Sequence, residues 1–271
     1  MMRALYTAAS GMRAQQTNVD NISNNIANVN TTAFKSQKTE FKSLLYQTIQ
    51  TRTTSANGEE KPIGAQVGLG TRVASNTTSY TQGALLEDES KSAFAIEGDG
   101  FFQVRGADGT TYYTRNGNFN WSIGPTGTTL TNTDGYPVLD SNGKTIVLPN
   151  NVNSEKAVVT TDGQVGYYNN AGAYVSMNQT IGLSQFNNPA GLEKAGSNLL
   201  RVTNASGAAL NEAANANLTR SKIHQGYLEG SNVQVADEMV NLIVAQRAYQ
   251  LNSKAITTSD DMLEQANNLK R

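Results

Sequence analysis

A single histidine limits the chemistry that this sequence could perform. His224 is the only imidazole in the 271 residues, so neither a metal site built on several histidines nor an acid-base pair of histidines can be assembled within one chain. A serine triad would place His224 beside a nucleophile and an acid, yet no nucleophile-elbow pattern accompanies it. We therefore expect a surface or packing role for this histidine.

The acidic residues and glycines offer three further candidate sites. Glu97 and Asp99 could act as paired carboxylates in glycoside hydrolysis, and residues 140–143 (Asp-Ser-Asn-Gly) resemble part of a calcium loop, although such a loop needs more ligands and a distal glutamate. Residues 98–100 and 68–70 have the Gly-x-Gly pattern but lack the lysine and helix of a phosphate-binding loop. Hairpin turns explain all of these residues more simply. We expect no catalytic, cofactor-binding or metal-binding residues.

The composition disfavours several classes of partner. Twenty-one basic and 22 acidic side chains leave a formal net charge of -1, which does not favour nucleic acid or an anionic membrane as a target. The sequence has no cysteine, so disulfides and thiolate metal sites are excluded. We find neither a transmembrane segment nor a cleavable signal peptide. If the protein leaves the cytoplasm, we expect a route that does not read such a signal.

The first 35 residues carry the repeat that is typical of a helix packing on another helix. Apolar residues recur every seven positions and again at an offset of three; the first set is Leu5, Met12, Val19 and Ile26, and the second includes Ile22 and Val29. Gly11 and Gln15 interrupt this seam. Because the segment has an apolar stripe but weak helix propensity, we expect it to be stabilised by packing partners.

A second apolar seam lies near the C-terminal end of the sequence. Its members at seven-residue spacing are Val235, Leu242, Tyr249, Ile256 and Leu263, and Met239 widens the apolar face. Ser231 followed by Gln234 is a capping-box signature, and residues 232–269 contain no proline or glycine, which is longer than an ordinary globular helix.

These seams predict a helix at each end of the chain, and with the strand pattern of the middle, described below, they predict an α+β fold. We expect long N- and C-terminal helices forming a coiled-coil-like core, with an all-β middle domain inserted between them. A single intramolecular helical hairpin is the alternative.

A row of amide side chains marks another face of the first helix. Asn18, Asn21, Asn25 and Asn28 are spaced by three, four and three residues, so they share one side of the helix. Solvated helix faces are normally charged, whereas neutral amides can both donate and accept hydrogen bonds between identical copies. We interpret the row as a second subunit interface.

The middle of the sequence has the pattern of short strands and tight turns. Asp-Gly or Asn-Gly dipeptides at residues 99–100, 108–109, 134–135, 142–143 and 162–163 separate β-type runs between residues 92 and 177, and such dipeptides suit the positive φ angles of hairpin turns. Residues 41–49 fit a helix or a strand equally well. Residues 47–66, around Asn57-Gly58, are long for a connection within a compact domain.

We predict three parts from these patterns. Residues 1–34 with 226–271 form a terminal helical core, residues 35–91 with 195–225 form an extended or β connecting region, and residues 92–194 form a β-rich outer domain.

Four stretches resemble the axial proteins of the bacterial flagellum, the rod and hook family. They are residues 23–35 (SNNIANVNTTAFK), 97–104 (EGDGFFQV), 113–119 (YTRNGNF) and 229–249, which begins EGSNV and ends QRAY. Ala33 departs from the glycine usual in the family, and residues 121–125 (WSIGP) depart from its usual acidic turn. Length and residues 46–70 are most similar to the subunits of the distal rod of the basal body, with proximal rod and hook subunits as alternatives.

The resemblance implies a structural subunit with no catalysis and no cofactor. Family members polymerise helically into a drive shaft, with both chain ends in the inner core, that transmits torque across the periplasm to the hook. The implied partners are further copies of the chain, other rod proteins, hook or hook-side subunits, ring (bushing) proteins and the flagellar export apparatus. Outside the family, a coiled-coil stalk adhesin and a carboxylate-based cell-wall hydrolase are the alternatives.

Overall fold

The computed structural model describes residues 2–50, 64–124, 127–149, 152–169, 172–215 and 217–269. The chain divides into two compact units. Unit 1 comprises Met1–Ala27, Gln37–Thr78 and Gln234–Arg271, and unit 2 comprises Asn28–Ser36 and Ser79–Val233. The three-part division expected from the sequence stays a prediction.

Unit 1 contains two long helices and two strand pairs. The helices are α1 (Met2–Ala27) and α2 (Val235–Asn268), and the strands are β1 (Gln37–Ser43), β2 (Tyr46–Gln50), β3 (Ala65–Gly68) and β4 (Thr71–Thr78). β1 pairs antiparallel with β4, and β2 pairs antiparallel with β3. Residues 41–49, which the sequence left open between helix and strand, therefore belong to two strands and the short link between them.

Unit 2 is built from short strands. They are β5 (Leu85–Glu87), β6 (Phe94–Glu97), β7 (Phe101–Arg105), β8 (Thr111–Thr114), β9 (Phe119–Gly124), β10 (Gly127–Asn132), β11 (Val147–Leu148), β12 (Ala157–Val159), β13 (Gln164–Tyr168), β14 (Tyr174–Thr180), β15 (Leu183–Gln185), β16 (Glu193–Gly196), β17 (Leu199–Arg201), β18 (Leu210–Asn211), β19 (Lys222–Gln225) and β20 (Tyr227–Glu229). Ser154–Lys156 and Pro189–Gly191 are single 3₁₀ turns.

The strands of unit 2 form several antiparallel sheets. The largest has six strands in the order β16-β17-β8-β7-β15-β18, and two others have three strands each, β11-β10-β9 and β12-β13-β14. β19 pairs with β6, and β20 pairs with β5. The last two strands before α2 thus return to pair with early strands of the same unit.

The core of unit 2 lies on both sides of β7. Successive side chains of a strand point to opposite faces, so Phe101 and Phe102 enter two separate apolar clusters. Phe102 packs edge-on against Phe119, with ring centroids 5.1 Å apart, and Phe101 packs similarly against Phe186 at 5.5 Å. Because both faces of β7 are covered, residues 101–104 are all buried, and the polar Gln103 among them donates to Ser184 Oγ at 2.7 Å.

Most of the predicted hairpin turns are confirmed. In four of the five dipeptides the glycine has a positive φ, for example 79° at Gly163 and 75° at Gly143. Asp99-Gly100 is the exception, because there the left-handed residue is Gly98, with φ 126°. The sequence therefore predicted the position of this turn but not which of its residues has the positive φ.

The coiled-coil-like core is wrong, although the α+β class fits. The described part of the chain has two α-helices, and its large buried apolar side chains are concentrated in the strands of unit 2. On the helices the buried residues are Ala8, Ala14, Ile22 and Asn25 of α1 and Ala245 of α2. These buried residues are mostly small, whereas the heptad residues other than Ile22 are half-buried or exposed, so they do not form a closed seam.

The predicted start of the second helix is also wrong. α2 begins at Val235, and Gln234 at its N-cap makes no side-chain capping hydrogen bond. Ser231 Oγ instead accepts from the N–H of Val233 at 3.3 Å. Among the described helices, none combines the length and apolarity needed to span a membrane.

Ala33 has a strained backbone. Its φ is 57°, it is buried, and its N–H donates to the carbonyl of Glu229 at 2.8 Å. The left-handed region costs a residue with a Cβ about 1–2 kcal/mol, whereas glycine adopts it freely. Ala33 stands where the resembling family usually has glycine, so this departure carries a structural cost.

We predict that Ala33→Gly stabilises the protein by about 0.5–1 kcal/mol, because the relieved strain exceeds the entropy that glycine loses on folding. The measurement is the urea concentration at the unfolding midpoint. Ala95→Gly is the matched control: Ala95 is also buried, in β6, but has no positive φ, so that variant should be less stable than the parent. A lower midpoint for Ala33→Gly would contradict the strain argument.

Candidate subunit interface

The two helices of unit 1 pack antiparallel. Asn25 Nδ2 donates to Glu238 Oε1 at 3.1 Å, and further along the pair Gly11 faces Asn252, where a Cβ on residue 11 would lie 2.9 Å from the Asn252 amide nitrogen. Residues nearer the N-terminus of α1 therefore lie beside residues nearer the C-terminus of α2. Gly11, which looked like a weak point of the seam, allows the two helices to approach closely.

The residues of the two predicted seams lie in different environments. Ile22 is buried; Leu5, Met12, Val19, Ile26, Val29, Leu242, Ile256 and Leu263 are half-buried; Val235, Met239 and Tyr249 are exposed. Val19 and Tyr249 come together along a groove of about 330 Å³ between the helices. The structure does not gather all these residues into one surface, and their role between subunits stays a prediction.

The asparagine row makes hydrogen bonds within the chain. Asn25 is buried, donates to the carbonyl of Gln37 at 2.9 Å and accepts from the N–H of the same residue at 3.0 Å. Asn21 donates to Thr39 Oγ1 at 2.6 Å. These two amides therefore attach α1 to the edge of β1. A contact of Asn18, Asn21, Asn25 and Asn28 with a second subunit stays a prediction.

A large apolar face of α2 is exposed. Its side chains come from the first half of the helix, whose one buried residue is Ala245. Ile243 is 58% exposed, Val244 62% and Leu251 69%. The exposed apolar residues of the face are Val235, Met239, Val240, Ile243, Val244 and Leu251. Contiguous exposed apolar residues, unlike scattered ones, usually mark an interaction surface. We call these six residues the α2 apolar face.

A buried charge cluster joins distant parts of unit 2. The side chain of Glu229 is completely buried, and its carboxylate lies 2.6 Å from Lys35 Nζ and 3.0 Å from Arg115 Nε. Glu229 Oε1 also accepts from the N–H of Gly83 at 3.0 Å. Arg115 donates further to the carbonyls of Gly98 and Gly100, and Lys35 donates to that of Thr81.

The cluster is composed of residues from all four stretches that carry the family resemblance. Lys35, Gly98 with Gly100, Arg115 and Glu229 each belong to a different stretch. Sequence reasoning missed the contact, because the partners of Glu229 lie 194 and 114 residues away. The available signal was that Lys35 and Arg115 are the only charged residues of their stretches, 23–35 and 113–119.

Burial and charge act in opposite directions on the pKa of Glu229. Burial alone would raise it, but the positive charges of Arg115 and Lys35 outweigh burial and hold the pKa below its usual value. Glu229 is therefore ionised in the folded protein at neutral pH. An ionised carboxylate with hydrogen bonds from three segments positions those segments tightly.

The residues considered for catalysis make local contacts. His224 Nε2 lies 2.8 Å from Glu97 Oε2 in a partly exposed pair, and the hydrogen bond from His224 lowers the pKa of Glu97, with help from Lys222. Asp140 Oδ1 accepts from the N–H groups of Asn142 and Lys144, which is the turn geometry expected from the sequence. Within the described ranges, no group of three or more His, Asp or Glu side chains is arranged to hold a metal ion.

Comparison with protein families matches three regions of the chain. Residues 5–35 match the family "Flagella basal body rod protein", residues 95–167 match "Flagellar hook protein FlgE/F/G D1 domain", and residues 224–269 match "Flagellar basal body rod FlgEFG protein C-terminal". Each matched region supplies one member of the charge cluster, namely Lys35, Arg115 and Glu229.

Similarity to individual proteins extends over the whole chain. The chain is 44% identical to the flagellar basal-body rod protein FlgG of Borreliella burgdorferi, over 100% of both chains. It belongs to the flagellar basal-body rod protein family. The FlgG protein of Bacillus subtilis is 40% identical, again over 100% of both chains, and the flagellar hook-basal body complex protein FlhP of the same organism is 31% identical over 100% of both. The resemblance of the four sequence stretches is thereby confirmed.

We predict that Glu229→Gln destabilises this rod-family protein by about 3–5 kcal/mol, because it leaves two buried cations without a counter-charge. The measurement is urea unfolding of the full chain. Glu193→Gln is the control, since it breaks a pair with Arg201 in which both side chains are more than half exposed, and it should change stability little.

The same variant should alter the pH dependence of stability. Because the pKa of Glu229 is lowered on folding, its stabilising contribution is complete above the usual value of 4.5 and is lost as the pH falls through the lower folded value. The difference in stability between the parent and Glu229→Gln should therefore shrink below pH 4.5. A difference that stays constant down to the acid unfolding of the parent would contradict the assignment.

Proposed function

We propose that this chain is a structural subunit that polymerises with copies of itself into the distal rod of the flagellar basal body. The observation that carries the proposal is the α2 apolar face, exposed in a chain that is 44% identical over its whole length to a flagellar basal-body rod protein. We infer a mechanical role, the transmission of torque to the hook, rather than a catalytic one.

The α2 apolar face supplies a driving force for assembly. Burying one large aliphatic side chain is worth about 1.5–3 kcal/mol, and the six residues of the face repeat on every subunit. Repetition along a polymer multiplies this contribution without requiring large charged patches, which agrees with the formal net charge of -1.

We propose further partners on the same grounds. A rod subunit in the basal body would contact other rod proteins at one end and hook or hook-side subunits at the other, with ring proteins around it in the periplasm. It would reach this place through the flagellar export apparatus, without insertion in a membrane.

Ile243→Asp should prevent polymerisation, because a carboxylate would be desolvated in an apolar interface without a partner. Ile243 is 58% exposed in the subunit, so the monomer should keep its fold, as judged by circular dichroism. The measurement is light scattering and electron microscopy of the purified full chain over a range of concentrations.

Asn241→Asp is the matched control for this variant. It adds the same charge two residues before Ile243, on the opposite side of α2, at a position that is already polar and exposed, and it should polymerise like the parent. If Ile243→Asp formed the same polymers at the same concentration as the parent, the α2 apolar face would not be the assembly surface.

The proposal of a distal rod rather than a hook depends on residues 47–66. The predicted turn at Asn57-Gly58 lies outside the described residues, but the strands that flank it, β2 and β3, pair antiparallel from Tyr46 opposite Gly68 to Gln50 opposite Ala65. We propose that this hairpin wedges against neighbouring subunits and removes the sliding freedom that a bending tube requires.

Deletion of residues 47–66 should leave the α2 apolar face intact, so polymers should still form. They should be more curved or more flexible than those of the parent in electron micrographs. Tubes of the deleted protein with unchanged straightness and persistence length would show that the segment is a passive connection.

A further inference from the structure

A groove in unit 1 has the features of a binding surface for acidic side chains. It has a volume of about 400 Å³ and lies between α1, the turn after β1 and the start of β4. Its apolar wall includes Tyr6, Leu44 and Val73, and its charged rim consists of Arg13 and Arg72. The groove therefore combines apolar area with two guanidinium groups.

Close packing on one side of the groove holds it in shape. Ser10 Oγ donates to the carbonyl of Thr7 at 2.8 Å and accepts from the N–H of Thr71 at 3.3 Å. Gly70 lies against Ser10 so closely that a Cβ at residue 70 would clash with the Ser10 hydroxyl. The start of β4 is thus fixed against α1, and Arg72 with it.

The two arginines of the groove have no acidic partner among the residues that the structure describes. Neither guanidinium makes a hydrogen bond or an ion pair with any residue that the structure describes. The residue paired with Arg72 across the sheet is Lys42, another base, and Asp20, the only acid of α1, is two helical turns from Arg13. Arginine pairs well with carboxylates, so the groove is suited to an acidic partner.

The end of α2 offers such a partner. Gly11 and Asn252 lie at the same level of the helix pair. Because the helices are antiparallel, Met2, nine residues before Gly11, is level with Asp261, nine residues after Asn252. The last seven residues of α2, 262–268, therefore extend past the described start of α1. Asp260, Asp261 and Glu264 are exposed there, and at positions i, i+1 and i+4 they share one side of the helix.

The acidic end of α2 also has exposed apolar residues, but they lie on its other side. Met262 is 53% exposed and two residues from Asp260 and Glu264, which places it on the opposite side of the helix from both. The contact with the groove therefore depends on the charges. Lys270 and Arg271 follow in the sequence and lie outside the described residues.

The groove and the acidic end of the same subunit are too far apart to meet. Along the antiparallel pair, Asp260, Asp261 and Glu264 lie about 15, 17 and 21 Å from the level of Arg13 at 1.5 Å per residue. An ion pair requires the charged atoms to be within about 4 Å. The acidic end that fits the groove must therefore come from another copy.

We propose that the groove at Arg13 and Arg72 binds the acidic end of α2 of a neighbouring copy of this chain, at Asp260, Asp261 and Glu264. This inference rests on the proposed polymerisation and specifies one of its contacts. The two surfaces are different parts of one chain, so the contact is head-to-tail. Repeated head-to-tail contacts give an open helical polymer when the rotation between subunits does not close into a ring.

Charge reversal tests the contact. The first variant carries Arg13→Glu and Arg72→Glu, and the second carries Asp260→Lys, Asp261→Lys and Glu264→Lys; all five residues are exposed, and circular dichroism should show parent-like folding. Each variant alone brings like charges together, so its critical concentration for polymerisation should rise about tenfold or more. An equimolar mixture should polymerise near the parent concentration, because each groove then meets an end of opposite charge.

Lys144→Glu is the control for charge reversal, since Lys144 lies in an exposed turn of unit 2, and it should not change the critical concentration. If the parent polymerises and the first variant polymerises equally well, the groove contact is wrong while the proposed function stands. If both variants fail and their mixture also fails, these charges do not pair with each other, and the contact is likewise wrong. A parent that stays monomeric overturns the proposed function and the contact together.

Discussion

The buried carboxylate of Glu229 is the interaction on which the architecture of unit 2 depends most. It binds Lys35, Arg115 and the N–H of Gly83 at once, so three segments far apart in the sequence are fixed to the last strand before α2. Ala33 reinforces the same place, because its N–H donates to the backbone carbonyl of Glu229. A buried charge of this kind adds little net stability when compared with apolar packing, but removing one member is costly. It therefore selects one arrangement of the segments over others.

The fold illustrates what local patterns can predict. Hairpin turns followed from Asp-Gly and Asn-Gly dipeptides, because the backbone conformation that these residues favour is decided within two residues. The two long helices also followed from apolar periodicity. Glu229, Lys35 and Arg115 could not be grouped from the sequence, because nothing local records a contact across 194 residues. The same holds for Gly11, whose importance depends on Asn252 in the other helix.

The error about the coiled-coil-like core has a physical cause. A heptad repeat shows that a helix has an apolar side, but it does not show whether that side faces the partner helix in the same subunit or something outside it. In this chain the buried residues of the two helices are mostly alanines, and Gly11 lies against Asn252, while Ile243, Val244 and Leu251 remain exposed. The predicted interface residues were thus a mixture of inward and outward positions. We propose that the outward ones contact neighbouring subunits, as expected for a member of a rod-protein family.

The central claim is that the exposed side of α2 is an assembly surface, and electron microscopy of the purified full chain tests it most directly. We predict tubular polymers whose helical reconstruction places Ile243 and Val244 against a neighbouring subunit. A chain that stays monomeric at high concentration would contradict this claim. So would tubes in which both side chains remain in solvent.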